Sequence, residues 1–372
     1  MQIEPFGVEQ WMNKWETRCD LNLAETCVES LTLAALMQMA GATQQMPYDL
    51  AEMKMTYGAI KGSDRLRGLV SALFSDQTPE NVLITHGTIG ANHLIYHTLI
   101  GPGDHVVAIT PTYQQHMSIP ASIGAEVTQL PLRADQDWLP DWEALENLVQ
   151  PATKLIALTN PNNPTGAVIS KTGLQKLSAI AAEVGAWVLC DEVYRGTEQG
   201  EPVPSIADIY AKGISTGSMS KAFSLAGLRL GWLVGPEDLL EHAEIHRDYT
   251  TISVGMVDDY FSAMALGVKD QILDRSRRIT RENLMLLDDW IMQESRADYV
   301  RPGGGTTALV RIDTAQPSYD LCEALIRDAG VMFTPGSVMG HEGYVRVGFA
   351  NNAQDLEMGL GRVSDWLRSS PS

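Results

Sequence analysis

The part of the sequence that points most directly to a fold and a chemistry is Ser218-Met219-Ser220-Lys221-Ala222-Phe223-Ser224-Leu225-Ala226-Gly227-Leu228-Arg229-Leu230-Gly231. It places Lys221 three residues after Ser218 and eight residues before Arg229. A lysine amine can form a Schiff base with a carbonyl compound, and serine and arginine side chains bind phosphate. A Ser/Gly-rich loop of this kind is also typical of a solvated turn, so the rest of the chain has to decide between the two interpretations.

Composition narrows the class of protein before any motif is considered. The 372 residues carry a net charge of −19, which argues against nucleic acid or an anionic membrane as a partner. The four cysteines are scattered without a C-x-x-C pair, so we expect neither a metal site nor a disulfide framework. Unpaired cysteines favour a reducing, cytoplasmic location. The N-terminus has no signal-peptide pattern, and no apolar run approaches the roughly 18 residues of a membrane span.

Apolar strands alternate with helices through most of the chain, which predicts an α/β fold with a mainly parallel sheet flanked by helices. In such sheets, ligands bind at the carboxyl ends of the strands. The seven predicted strands are Val82–Thr85, His105–Thr110, Ala125–Leu132, Lys154–Thr159, Ala186–Cys190, Ile214–Gly217 and Leu230–Gly235.

The regular alternation of strands and helices ends after about residue 250. Two predicted helices, Val254–Gly267 and Lys269–Glu294, are followed by a mixed segment of strands and helices. We therefore expect a large domain at 35–265 and a smaller α+β domain that combines 1–34 with 266–372.

Pyridoxal phosphate is a carbonyl compound that protein lysines bind, and its chemistry requires specific partners. A buried carboxylate keeps its pyridine nitrogen protonated, and Asp191, at the end of an apolar strand, could supply that carboxylate or could cap the next helix. Tyr194 and Asn163 could donate hydrogen bonds to the ring phenolate O3′, although Asn163 also suits a plain turn.

Three motifs together, Asn160-Pro161-Asn162-Asn163-Pro164-Thr165-Gly166, Asp191-Glu192-Val193-Tyr194 and Ser218-x-x-Lys221-(x7)-Arg229, resemble those of the class I/II aminotransferases, which have PLP fold type I. The resemblance runs from about Tyr57 to Arg346. It implies pyridoxal 5′-phosphate as cofactor, a large domain with a mainly parallel seven-stranded sheet plus a smaller α+β domain, and a homodimer whose active sites are shared between subunits.

The resemblance also assigns roles residue by residue. It makes Lys221 the Schiff-base lysine and proton-transfer residue, with Asp191 and Tyr194 as the other catalytic residues. Tyr113 would lie over the pyridine ring. The expected phosphate contacts are Gly87, Thr88, Ser218, Arg229 and, from the neighbouring subunit, Tyr57. The expected substrate contacts include Asn163 and Arg346, which would bind the α-carboxylate.

Two positions depart from the common pattern of the family. Glu25 stands in an arm segment that usually carries a glycine, and near the substrate it would favour a cationic amino acid; it could equally face water. His86 could add acid–base chemistry beside the cofactor or could be structural. These features resemble an arginine-acting branch that includes capreomycidine synthase and oxygen-dependent arginine oxidases.

The function expected from this resemblance is conversion of an L-amino acid to its 2-oxo acid by transamination. The alternative is a PLP- and oxygen-dependent oxidase or cyclase that acts on arginine or another cationic amino acid. The core motifs serve both reactions equally, because both begin with removal of the α-proton. A regulatory PLP-binding protein is a third option, but the chain has no basic DNA-binding segment to support it.

Overall fold

The computed structural model describes residues 2–369. The helices of this part of the chain are α1 (Gly7–Trp15), α2 (Leu33–Met39), α3 (Met46–Glu52), α4 (Asp64–Ser71), α5 (Gly87–Leu99), α6 (Gln115–Ile123), α7 (Trp142–Leu148), α8 (Lys171–Val184), α9 (Glu237–Asp248), α10 (Met256–Gly267), α11 (Lys269–Gln293), α12 (Ser318–Ala324) and α13 (Ala353–Ser369). The strands are β1 (Leu21–Asn22), β2 (Val82–Thr85), β3 (His105–Thr110), β4 (Glu126–Pro131), β5 (Thr153–Thr159), β6 (Trp187–Asp191), β7 (Gly213–Ser218), β8 (Gly231–Val234), β9 (Ala297–Tyr299), β10 (Thr307–Ile312), β11 (Val331–Met332), β12 (Thr334–Pro335) and β13 (Tyr344–Gly348).

The largest sheet has seven strands in the order β2-β8-β7-β6-β5-β3-β4. Strand β8 is antiparallel to both of its neighbours, and the other adjacent pairs are parallel. The predicted α/β fold with a mainly parallel seven-stranded sheet is therefore confirmed. Because β8 runs against the rest, the residues that precede it lie at the same edge as the carboxyl ends of the other strands.

Successive side chains of the central strands point into cores on opposite faces of the sheet, as the period of a strand requires. On β5, Ile156 and Leu158 belong to one core, whereas Leu155 and Ala157 belong to the other. Both faces are covered by helices, which explains why β5 is continuously apolar from Leu155 to Leu158 instead of alternating.

A separate core joins the beginning and the end of the chain. Leu21, Leu23 and Ala24 pack with residues of α11, β10, β13 and α13. Strand β1 pairs in parallel with β11, while β12, β13, β10 and β9 form an antiparallel sheet. This core contains residues from both terminal segments of the smaller domain that the sequence predicts, but the boundaries themselves stay a prediction.

The seven strands of the large sheet lie within one residue of their predicted bounds, and α10 and α11 within two, but no helix was predicted at α2, α3, α6 or α9. Helix α6 contains Pro120, which lacks an N–H and weakens the helical pattern. Helix α9 is rich in charged residues, and only Leu239, Leu240 and Ala243 mark its apolar buried face. Within residues 2–369, no helix combines the length and the apolar character needed to cross a bilayer.

Gly348, at the end of β13, lets the N-terminal arm approach the second sheet closely. Its N–H donates to the Leu23 carbonyl oxygen at 2.7 Å. A Cβ atom at this position would lie 1.8 Å from the carbonyl oxygen of Glu25. Only glycine allows the backbone of residues 23–25 to run against this strand.

We expect Gly348→Ala to lower the free energy of unfolding by roughly 1–3 kcal/mol, because the arm must move away from β13. Gly361→Ala, on helix α13, is the control. A Cβ atom at this position would have no neighbouring atom of the described residues within 4 Å. That control should be neutral or stabilising by about 0.5–1 kcal/mol. Urea unfolding of both variants measures the difference, and equal stabilities would contradict the close packing of the arm.

Candidate active site

A cavity of about 360 Å³ opens at the edge of the large sheet where the parallel strands end. The large sheet and the loops that follow its strands provide most of its walls. The N-terminal arm and β13, which belong to the core of the two terminal segments, provide others. Of the residues expected at the site, the structure brings ten to this cavity: Glu25, Thr88, Tyr113, Asn163, Asp191, Tyr194, Ser218, Lys221, Arg229 and Arg346.

One corner of the cavity suits a phosphate group. Helix α5 begins at Gly87, and the hydroxyl of the next residue, Thr88, is buried and has no hydrogen-bond partner among residues 2–369. The Arg229 guanidinium lies close by, with Nη2 only 3.3 Å from the position that a Cβ on Gly87 would occupy. Ser218 and Ser220 are buried along the same wall. A helix N-terminus, hydroxyl groups and an arginine together form an anion site.

Asp191 ends β6 and is buried on the floor of the cavity. Its carboxylate accepts hydrogen bonds from the Asn92 side-chain amide at 2.9 Å and from the Val193 N–H at 3.1 Å. Burial raises the pKa of Asp191 to about 6, and the hydrogen bond from Asn92 opposes that rise. Among residues 2–369, no cation forms an ion pair with Asp191.

Lys221 lies between the large sheet and the N-terminal arm. Its Nζ donates to Thr26 Oγ1 at 2.5 Å and to Cys27 Sγ at 3.3 Å. Burial alone would lower the pKa of Lys221, but the acidic groups of Cys27, Tyr194 and Glu25 together raise it above its ordinary value.

Arg346, on β13, projects into the cavity from the second sheet, and only 3% of its surface is exposed. Its guanidinium donates to Asn163 Oδ1 and Thr334 Oγ1, both at 3.2 Å, and to the Ala24 carbonyl oxygen at 3.3 Å. Nε has no hydrogen-bond partner, and within the described part of the chain no carboxylate pairs with this guanidinium. Burial lowers the pKa of Arg346, as expected for a cation without a bonded anion.

The remaining wall of the cavity belongs to helix α1, which contributes Glu9 and Glu16. Glu9 Oε1 accepts a hydrogen bond of 2.8 Å from the Tyr113 hydroxyl. Glu25 also lines the cavity, but its carboxylate turns back to accept the N–H groups of Thr26 at 2.7 Å and Cys27 at 2.8 Å.

The family model for aminotransferase class I and II matches residues 27–363. The chain belongs to this family. A PLP-dependent aminotransferase from Streptococcus suis has a similar structure, with 42% sequence identity, a TM-score of 0.97 and full coverage of both chains. Capreomycidine synthase from Streptomyces vinaceus is 29% identical, over 97% of this chain and 93% of its own. The PLP-dependent cyclase OrfR is 26% identical, with a TM-score of 0.92 and coverage of 99% of this chain and 98% of its own.

Family membership makes this aminotransferase a pyridoxal-phosphate enzyme, and the residues present fit that cofactor. The unpartnered Thr88 hydroxyl and the Arg229 guanidinium suit its phosphate, whereas the Asp191 carboxylate suits a protonated ring nitrogen. In residues 2–369, no group of three or more histidine, cysteine and carboxylate side chains could hold a metal ion.

Of the three other expected site residues, Gly87 begins α5 beside Arg229, whereas two lie away from the cavity of this aminotransferase chain. His86 lines a neighbouring cavity of about 660 Å³, together with His93, His97 and His246. Tyr57 is 70% exposed on the surface. Their expected contacts, with the substrate and with a neighbouring subunit's phosphate respectively, stay predictions.

Four side chains at this site were not predicted from the sequence: Glu9, Thr26, Cys27 and Asn92. Asn92 lies among apolar residues on a buried face of α5, and such a position is a detectable signal of a buried polar contact. Thr26 and Cys27 flank Glu25 in the arm segment that departs from the family pattern. Nothing local distinguishes Glu9 from other helix glutamates.

We expect Asn92→Ala to weaken pyridoxal phosphate binding about ten-fold or more, because a hydrogen bond to a charged group contributes roughly 1.5–3 kcal/mol. Asn92 stabilises ionised Asp191, so its loss moves the pKa of that carboxyl above about 6. Binding of pyridoxal phosphate depends on the ionised form of Asp191. As the pH is lowered, the variant should therefore lose affinity for the cofactor at a higher pH than the wild type does.

Fluorescence titration of the cofactor-free protein at several pH values measures this effect. Thr98→Val on the same helix is the control, since the Thr98 hydroxyl bonds only to the Leu94 carbonyl oxygen. An unchanged pH dependence in Asn92→Ala would contradict the role assigned to this contact.

Proposed function

We propose that this protein transfers the amino group of an L-amino acid to a 2-oxo acid, and that Lys221 both binds the cofactor and moves the α-proton. One observation carries the proposal: the Arg346 guanidinium is buried without a bonded carboxylate and faces the same cavity as Lys221 and Asp191. An amino acid supplies the α-carboxylate that such a guanidinium binds in a bidentate manner.

The residues of the cavity divide the task of holding the cofactor. Thr88, Ser218 and Arg229 would bind its phosphate, and Asp191 would keep its ring nitrogen protonated. Asn163 and Tyr194 would hold the ring oxygen. When bound, pyridoxal phosphate accepts electron density from the α-carbon, which makes the α-proton acidic.

Arg346 would orient the substrate by its carboxylate, so that the α-carbon faces the Lys221 amine. The amine then acts as a base at the α-carbon and afterwards delivers the proton as an acid, a pair of roles typical of a lysine in a desolvated site. Release of the 2-oxo acid would consume one water and leave the amino group with the cofactor, and the same residues would serve the reverse sequence that passes it to the acceptor 2-oxo acid.

For the substrate we propose an amino acid with a cationic side chain, and Glu9 is the main support. Its carboxylate lines the cavity and lies within electrostatic range of Arg346, and it forms no ion pair in residues 2–369. Glu16 lies at the same wall, two helical turns further along α1. Glu25 is less suited to this task than the sequence suggested, because backbone N–H groups already occupy one of its oxygens.

A second candidate function is an oxygen-dependent oxidation or cyclisation of a cationic amino acid. The acidic wall formed by α1 favours such a substrate for either reaction. Similarity to capreomycidine synthase and to the cyclase OrfR gives this alternative limited support.

We further propose a homodimer with shared active sites. Two exposed aromatic side chains, Tyr57 and Tyr249, lie on adjacent loops joined by a hydrogen bond of 3.0 Å from Ser253 Oγ to the Tyr57 carbonyl oxygen. Ile89, at the rim of the cavity, is 40% exposed. A cytoplasmic location stays a prediction from cysteine usage.

The proposed function is tested with purified holoenzyme, arginine or lysine as donor and a 2-oxo acid as acceptor. We expect the amino acid that corresponds to the acceptor to form only when the acceptor is present. An oxygen electrode should record no oxygen uptake. Lys221→Ala should abolish the reaction and the visible absorption of the lysine-bound cofactor, while Lys154→Ala, an exposed lysine on β5, should not. Oxygen consumption without an acceptor would favour the second candidate and remove transamination.

Glu9→Gln tests the cationic substrate separately. The variant keeps an oxygen that can accept from Tyr113 but loses the negative charge. We expect kcat/KM for arginine or lysine to fall about ten-fold or more, while kcat/KM for leucine stays unchanged, because only the cationic side chain loses a charge-assisted hydrogen bond. Glu52→Gln, on the exposed surface of α3, is the control. Equal losses for cationic and neutral substrates would contradict the proposal.

A further inference from the structure

We infer that the side chains of Thr26 and Cys27, here called the amine clamp, position the free amine of Lys221 during proton transfer. The inference rests on the proposed function, in which the Lys221 amine acts as base and acid at the α-carbon. Neither side chain is among the groups expected to hold the cofactor or the substrate.

The amine clamp contacts Lys221 at its reacting atom. Thr26 Oγ1 accepts a hydrogen bond of 2.5 Å from Lys221 Nζ, and Cys27 Sγ lies 3.3 Å from the same nitrogen. An ammonium group has three N–H donors, and these two acceptors fix two directions around the nitrogen. The direction of the third is thereby fixed as well.

The backbone that carries the amine clamp is itself held in place. The Thr26 carbonyl oxygen accepts from the Thr306 hydroxyl at 2.6 Å, and the N–H groups of Thr26 and Cys27 both donate to Glu25 Oε1. Thr26 is β-branched, so its χ1 angle has few alternatives. The hydroxyl therefore presents a fixed target to a lysine side chain that has four rotatable bonds of its own.

A positioned amine has two physical advantages in this cavity. Once released from the cofactor, it stays within reach of the α-carbon instead of sampling other rotamers, and a near-attack arrangement lowers the barrier to proton transfer. Once protonated, the ammonium finds acceptors in a cavity where burial makes an unpaired charge costly. Burial raises the pKa of Cys27, and a cysteine sulfur is only a weak acceptor, so most of the effect belongs to Thr26.

Thr26→Val removes the hydroxyl and keeps the shape of the side chain, whereas Thr26→Ser keeps the hydroxyl. In the holoenzyme, we expect Thr26→Val to lower kcat about ten-fold, with KM little changed and a larger isotope effect from an α-deuterated substrate, since each tenfold loss corresponds to about 1.36 kcal/mol in the barrier. Thr26→Ser should restore most of the rate. Cys27→Ala should have a smaller effect than Thr26→Val.

A second measurement does not depend on turnover. In protein stripped of cofactor, Thr26→Val destabilises the ammonium form of Lys221, so an amine-acylating reagent should label this lysine about ten-fold faster, as judged by peptide mass spectrometry. Thr26→Ser should label at nearly the wild-type rate, and Lys154 provides the internal reference.

The two measurements separate the amine clamp from the proposed function. Faster labelling of Lys221 in Thr26→Val supports the clamp even if no transamination is found, in which case only the proposed function fails. Transamination with an unchanged kcat and isotope effect in Thr26→Val would overturn the clamp alone. An equal loss in Thr26→Ser and Thr26→Val would also overturn it, since the hydroxyl would then have no part in the effect. If valine prevents folding, Thr26→Ala provides the same comparison.

Discussion

The structure depends on two opposite charges that are buried in one cavity and kept from neutralising each other. Asp191 has hydrogen-bond donors but no ion-paired cation, and Arg346 has acceptors but no ion-paired carboxylate within the described residues. An unpaired buried charge costs several kcal/mol, and the pKa of Asp191, raised to about 6, reflects that cost. A fold keeps such charges apart when each has a ligand of its own to bind.

Two different frameworks hold these charges. The carboxyl end of β6 fixes Asp191, and helix α5 crosses beneath it to supply Asn92, whose side-chain oxygen is in turn bonded by Thr216 on β7 at 2.8 Å. Arg346 is fixed by the antiparallel sheet of the other core and by the arm that packs on it. The antiparallel direction of β8 then brings Arg229 to the same edge. Sheet topology therefore accounts for most of the cavity, and the N-terminal arm completes it.

How much of this could be predicted from the sequence follows from how local each signal is. Asp191, Lys221 and Asn163 come within a few residues of the ends of predicted strands, so strand prediction alone placed them at one edge of the sheet, and the family motifs supplied their roles. Glu9 reaches the cavity only through packing between distant segments, and no pattern along the chain marks that packing. Asn92, which contacts Asp191, is a polar residue on a buried face of α5, and that signal can be detected in the sequence. Glu25 lines the cavity, but the turn of its carboxylate toward its own backbone depends on local geometry that the sequence does not reveal.

The contacts of Lys221 link parts of the chain that fold around different cores. The lysine itself follows β7 of the large sheet, whereas the arm that carries Thr26 and Cys27 packs with the C-terminal strands and helices. A hydrogen bond weakens steeply once its atoms separate by a few tenths of an ångström. A rotation of one core against the other would therefore lengthen or shorten the hydrogen bond between Thr26 and Lys221. The N-terminal arm thus couples the position of the core formed by the two terminal segments to the position of one atom, Lys221 Nζ.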